Sequence, residues 1–156
     1  MKELFRNLKL SLYSKKGYKI WGYSIFFILL ILFIIFNNKV NIEVLNKLVS
    51  SDMFNTSGVL AGFIFTGLGM IITSNSKMIT ELKETGNLCV IKNYYGGTIF
   101  CFILTILLYL FKTIFSTFVS NTFFIKIYLF ITIETFILAL IFFTISLKIL
   151  SAIIND

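Results

Sequence analysis

The sequence predicts an all-α integral membrane protein, a single membrane domain over residues 1–156. Four transmembrane helices and a short N-terminal amphipathic cytoplasmic helix are expected. Hydrophobic residues make up 58% of the chain and charged residues only 13%, whereas soluble domains average about 25% charged residues. Four apolar runs approach the length of about 20 residues that a helix needs to cross a bilayer. These runs do not alternate as the strands of a membrane barrel do, so helices are predicted.

The predicted spans are separated by polar segments. They cover about residues 20–36, 54–73, 94–119 and 123–148. The first span is expected to be retained, because its apolar run is too long for a signal peptide and no small-residue cleavage site follows. Apolar spacing also predicts a short interfacial helix within residues 38–52. A further helix over residues 77–86 is expected to continue the second span into the cytoplasm.

The distribution of Lys and Arg predicts the orientation of the spans. Ten of these residues lie on the side with both termini and the loop after the second span, against four on the other side. Both termini are therefore predicted to be cytoplasmic, with Tyr94 and Tyr95 in an aromatic belt at the inner interface. The abundance of Ile, Phe, Asn, Lys and Tyr is typical of a low-GC genome and indicates a bacterium or its phage as the source.

A basic surface is predicted on the cytoplasmic side. Residues 1–17 have apolar residues at helical spacing with basic residues between them, as in helices that lie on membranes. The basic residues of this surface are Lys2, Arg6, Lys9, Lys15, Lys16, Lys77, Lys83 and Lys92. Two interpretations remain open: an anchor on anionic lipid, or a docking surface for a nucleotide, a nucleic acid or an acidic partner.

Two spans carry a stripe of small or polar residues on one helical face. The helix-packing stripe of the second span comprises Gly58, Gly62, Thr66, Gly69 and Thr73, and the third span has Thr98, Thr105, Tyr109 and Lys112. Packing within one chain is one interpretation, because small and hydroxyl residues are common between membrane helices. The other is that a polar face, foremost that of the third span, lines a water-filled path in a homo-oligomer, since four helices alone are too narrow. The first span is apolar all round and is expected to face lipid.

Glu134 is the one acid inside a predicted span. A charge at this depth costs at least about 2.5 kcal/mol. It lies on a different face of the fourth span from Thr132 and Thr135. Either the side chain is a protonated or hydrogen-bonded acid in the packed interior, or it lines a path or a subunit interface.

Composition argues against catalysis. The chain has no His, and therefore no imidazole to shuttle protons or bind metal. Its two cysteines fit neither a disulfide framework nor a zinc site. No nucleophile elbow, zinc-protease motif or phosphate-binding loop is present. The sequence thus predicts a protein that is not an enzyme and has no cofactor.

Two tracts of the chain resemble a known group of membrane proteins. They are Gly-Val-Leu-Ala-Gly-Phe-Ile-Phe-Thr-Gly-Leu at residues 58–68 and Glu-Leu-Lys-Glu-Thr-Gly-Asn at residues 81–87, which leads to Tyr94-Tyr95. Together they resemble small four-helix transmembrane effectors of bacterial anti-phage defence systems, of which the Hailong transmembrane component is one. The resemblance implies an oligomeric channel that depolarises the inner membrane of an infected bacterial cell. It also implies control by a DNA-like oligonucleotide made by a partner nucleotidyltransferase.

The leading hypothesis is therefore a gated pore or channel-type effector, whose partners are the lipid bilayer, further copies of the chain, and a nucleotide-type ligand or soluble defence protein. A holin-like phage membrane protein is the second hypothesis. The third is a non-conducting membrane anchor subunit of a defence complex.

Overall fold

The structure is a computed structural model that describes residues 26–31, 33, 39, 41–73, 77–84, 88–119 and 121–154. All regular elements in these ranges are helices and none is a strand, which confirms the all-α class. The labelled helices are α1 (Ile42–Leu48), α2 (Ser51–Thr73), α3 (Lys77–Glu84), α4 (Leu88–Phe118) and α5 (Thr122–Ile154).

Three stretches of the described chain are long and apolar enough to cross a membrane: Ile42–Thr73, Ile91–Lys112 and Thr122–Ser151. They support a multi-pass membrane protein. The predicted first span lies mostly outside the described residues, although residues 26–31 and 33 are helical. The N-terminal amphipathic helix over residues 1–17 lies wholly outside them, so this helix, the first span and the total of four spans stay predictions.

The short helix α1 begins at an asparagine cap. The Asn41 side chain accepts a hydrogen bond of 2.9 Å from the backbone N–H of Glu43, which satisfies one of the free donors at a helix start. Leu45 is buried on its inner face, while Val44 and Leu48 are exposed. This amphipathic helix confirms the one predicted within residues 38–52, and α2 follows it after a two-residue break.

The predicted cytoplasmic helix after the second span is present as α3. Its apolar face buries Ile79 and Leu82 in a cluster with Ile91 of α4 and Ile149 of α5. This packing explains why α4 begins at Leu88, before the start of the predicted third span, and why α5 extends past Lys148. In both cases the helix continues beyond the apolar run because a neighbouring helix covers one of its faces.

A tight turn joins the two longest helices, α4 and α5. Only residues 119–121 separate them, and the Asn121 side chain accepts a hydrogen bond of 2.9 Å from the backbone N–H of Phe123. Just inside the turn, the rings of Phe115 and Tyr128 stack with centroids 4.3 Å apart. The two helices therefore form an antiparallel pair whose ends are fixed in register.

Two buried clusters lie at opposite ends of the bundle. The α3 end contains the cluster around Ile79 already described, with Tyr95. The α1 end buries Phe33, Leu45, Val49, Met53 and Leu129. Phe33 is thereby the point at which the first helical stretch joins the bundle. Its neighbours Phe27, Ile28 and Ile31 are exposed, which agrees with a lipid-facing first span.

Candidate functional site

The polar stripe of the third span lies between helices of the same chain. Thr98 and Thr105 of α4 are fully buried, and the ring of Tyr109 lies 5.3 Å from that of Phe54 on α2. The Thr98 hydroxyl donates to the carbonyl oxygen of Tyr94 at 2.8 Å, and the Thr105 hydroxyl donates to that of Cys101 at 2.9 Å. In this conformation these side chains form helix contacts within one chain.

Lys112, at the end of that stripe, is bound to the C-terminal end of α1. Its ammonium group donates to the carbonyl oxygen of Val49 at 2.8 Å and to that of Asn46 at 3.3 Å. The last carbonyls of a helix lack partners inside the helix and carry a partial negative charge. Lys112 satisfies two of them and so connects α4 to α1.

Two tyrosines that the sequence did not single out as contacts bind α4 to α5, one near each end. The Tyr95 hydroxyl donates to the carbonyl oxygen of Ser146 at 2.9 Å, and the Ser146 hydroxyl lies 3.2 Å from that of Thr98. Towards the turn, the Tyr128 hydroxyl donates to the carbonyl oxygen of Leu108. The side chains of Tyr94 and Tyr95 are both buried in the bundle, and their position at the inner interface of the membrane stays a prediction.

The small-residue stripe of α2 faces away from the other described helices. All five of its members are exposed: Gly58, Gly62, Thr66, Gly69 and Thr73. A Cβ atom built on any of the three glycines meets no heavy atom of the described residues within 4 Å. The two threonine hydroxyls donate to carbonyl oxygens one turn earlier on the same helix. Packing of this stripe within the described chain is therefore not observed, and packing between copies stays a prediction.

A different glycine makes the close contact within the chain. A Cβ atom built on Gly67 lies 3.5 Å from the Leu150 side chain and 3.5 Å from the Tyr95 ring. Gly67 shares its face with the buried residues Ile64 and Ile71. The signal that could have identified it is this apolar face, because a glycine within an apolar stripe marks a helix that approaches closely.

Glu134 lies deep in the bundle. The side chain is 1% exposed, and neither carboxyl oxygen has a hydrogen-bond partner among the described residues. One turn earlier on the same face, the ring of Phe130 stacks on that of Phe33 with centroids 4.2 Å apart. One turn later Leu138 is buried, whereas Ile141, the next residue on that face, is exposed. The carboxyl group is thus enclosed in this conformation and is not exposed on the surface of the described bundle.

The basic surface is described only in part. Lys83 on α3 and Lys92 on α4 are exposed. Lys77 opens α3, but its side chain and the five basic residues before residue 17 lie outside the described set. Among the described residues, no group of three or more His, Cys, Asp or Glu side chains is placed to hold a metal ion.

Comparisons with protein families, with curated proteins and with solved structures found no match to this chain. The structure shows three features. They are an exposed stripe of small residues on α2, the hydrogen bonds that Tyr95 and Lys112 of α4 donate to neighbouring helices, and one enclosed carboxyl group on α5.

Proposed function

We propose that the chain is a homo-oligomeric membrane pore or channel-type effector that permeabilises or depolarises the bacterial inner membrane. The observation that carries this proposal is the exposed stripe of α2. Lipid tails are as apolar as leucine, so burial of apolar surface gives membrane helices little drive to associate. Small residues instead allow two backbones to approach closely, and three exposed glycines on one face provide such a surface for a second copy.

The packing of the single chain supports a path between copies rather than through one copy. The contact between α4 and α5 is filled by large side chains, since Tyr95 and Phe102 are fully buried. The ring centroid of Phe102 lies 6.5 Å from that of Phe136 and 6.3 Å from that of Phe143. An aqueous path in this protein accordingly lies among assembled copies, with closed rotational symmetry as the ordinary form of such assemblies.

The proposed role in anti-phage defence rests on the resemblance of residues 58–95 to small transmembrane effectors of such systems. With both termini in the cytoplasm, the exposed Lys83 and Lys92 face the compartment in which a nucleotide-type ligand is made. Positive side chains there attract phosphate groups. A soluble nucleotidyltransferase is the matching partner, and control by its product is part of the proposal.

The experiment is reconstitution of the purified chain in planar bilayers and in liposomes, with a matched pair of leucine variants on α2. Gly62 and Val59 are both exposed, but only Gly62 belongs to the stripe. Gly62→Leu is expected to abolish the defined oligomer and its current, whereas Val59→Leu keeps both.

The outcomes separate the three functions. Discrete currents from an oligomer of fixed size support the channel. Large unselective lesions of variable size indicate a holin-like protein instead. A folded, reconstituted chain that carries no current, with or without candidate oligonucleotides, indicates a non-conducting anchor subunit and refutes the pore.

A further inference from the structure

The carboxyl group of Glu134 combines two properties that conflict in an ionised acid. The Glu134 side chain is 1% exposed, and neither of its carboxyl oxygens has a hydrogen-bond partner among the described residues. An ionised carboxylate moved out of water without a partner costs far more than an uncharged acid does. The surroundings of the carboxyl group therefore decide which form is present.

The neighbouring described elements supply no donor to the carboxyl group. The helical residues that pack through Phe33 onto the same face of α5, residues 26–31 and 33, are all Phe, Ile or Leu. The nearest hydroxyl groups on α5 are already engaged, since Thr132 donates to the carbonyl oxygen of Tyr128 at 2.9 Å and Thr135 to that of Ile131 at 2.8 Å.

Among the described residues, including Lys126 and Lys148 of α5 itself, no charged side chain is hydrogen-bonded to the carboxyl group. The charged side chains on the described helices that pack against α5 are Glu43, Lys47, Asp52, Lys92 and Lys112. The other titratable groups on these helices are Cys89, Tyr94, Tyr95, Cys101 and Tyr109. None of them bonds to Glu134. The ammonium group of Lys112 is already bound to two backbone carbonyls, those of Asn46 on α1 and of its cap Val49.

We propose that Glu134 is a proton-binding site, and that packing of the first helical stretch onto α5 holds the proton there. The proton comes from water as the helices close, and it returns to water when they separate and the carboxyl group is hydrated. No other bond forms or breaks. Phe33 stacks on Phe130, one turn from Glu134 on the same face of α5, so this contact helps to exclude water and favours the protonated form. Proton occupancy in turn biases the position of the first helical stretch.

The proposal goes beyond the proposed pore and holds whether or not the chain conducts ions. Its test uses the full chain in lipid vesicles and the lipid-soluble reagent dicyclohexylcarbodiimide. The O–H group of a protonated acid adds across a C=N bond of the reagent: the oxygen bonds to carbon and the proton moves to nitrogen. A shift of the acyl group to nitrogen then gives a stable adduct that retains every atom of the reagent.

Mass spectrometry of the labelled chain is expected to find this adduct on Glu134. A water-soluble carbodiimide is expected to modify the exposed Asp52 and to leave Glu134 unmodified. Glu134→Gln is expected to lose the lipid-soluble label, and Asp52→Asn to keep it. In infrared spectra, the carbonyl band of a protonated acid is expected in the wild type and is expected to be lost in Glu134→Gln.

The link to the first helix is tested with Phe33→Ala, which removes the ring stacked on Phe130. Its label at Glu134 is expected to shift from the lipid-soluble to the water-soluble reagent. The matched control Phe27→Ala changes an exposed ring on the same stretch and is expected to keep the wild-type pattern.

Three results would overturn the proposal. They are a folded wild type with no adduct at Glu134, equal labelling of Glu134 by the water-soluble reagent, and absence of the protonated-acid band. An unchanged pattern in Phe33→Ala would remove the link to the first helix. None of these readouts depends on current or on oligomer size. A failure of the Glu134 proposal can therefore be distinguished from a failure of the pore proposal.

Discussion

The two kinds of glycine on α2 should respond in opposite ways to an added side chain. Gly67 meets Leu150 and Tyr95, each 3.5 Å from a Cβ atom built on it. Gly62 meets no described heavy atom within 4 Å. Leucine at Gly67 is therefore expected to disturb the fold of one chain, and leucine at Gly62 is expected to disturb only contacts between chains.

The magnitudes follow from the two environments. Alanine fits at Gly67, because 3.5 Å is an ordinary contact distance, and it is expected to stabilise the helix by up to about 1 kcal/mol. Leucine there overpacks the contact at a cost of about 1–3 kcal/mol. It also displaces the Tyr95 ring from its hydrogen bond to Ser146, which adds about 0.5–1.5 kcal/mol. At Gly62 the change in the monomer should stay within about 0.5 kcal/mol.

The assay is unfolding in mixed detergent micelles, followed by circular dichroism, at dilutions at which the wild type is monomeric. Size-exclusion chromatography with light scattering at higher concentration gives the oligomeric state. The expected order of monomer stability is Gly67→Ala at or above the wild type, Gly62→Leu equal to it, and Gly67→Leu well below it. The reasoning is refuted if Gly67→Leu is as stable as the wild type, or if Gly62→Leu is equally destabilised as a monomer.

Four further results are expected. Lys112→Met should lower the free energy of unfolding by about 1.5–3 kcal/mol in the same titration, because charged hydrogen bonds to the end of α1 are lost; an unchanged value would show that they contribute nothing. Tyr95→Phe should cost about 0.5–1.5 kcal/mol with the helices still formed, measured by the same dichroism signal. Glu134→Leu should raise stability, since it removes a buried polar group without a partner, and a loss of stability there would reveal a partner for the acid. Reporter fusions after Gly86 should read cytoplasmic and after Val119 external, and a reversed pair would contradict the predicted orientation.

The helical class and the membrane location could be predicted because they depend on length and composition alone. The interfacial helix α1 was also predictable, since an asparagine cap and apolar spacing are local signals. The bounds of α4 and α5 were less accurate. Their ends extend beyond the apolar runs because Ile79 and Leu82 of α3 and Ile149 of α5 pack together there. A prediction of spans from the length of apolar runs does not include such contacts.

The direction in which each helical face points was not predictable from one sequence. The stripes of α2 and α4 have the same period, yet the stripe of α4 is buried or half-buried and that of α2 is exposed. A stripe of small residues favours close packing, but it does not show which helix, of the same chain or of another copy, packs against it. The close contact at Gly67 and the hydrogen bond from Tyr95 to Ser146 join residues far apart in sequence, so no local pattern revealed them.

The contact between Phe33 and Phe130 has a consequence for the order in which the protein assembles. It joins segments separated by most of the chain, whereas only twelve residues lie between the stacked pair Phe115 and Tyr128. Short loops close sooner and at a lower entropic cost. The ribosome also completes the first helix long before the segment that contains Glu134. Enclosure of that carboxyl group is thus expected to be a late step in folding, and among the earliest to reverse when the protein is heated.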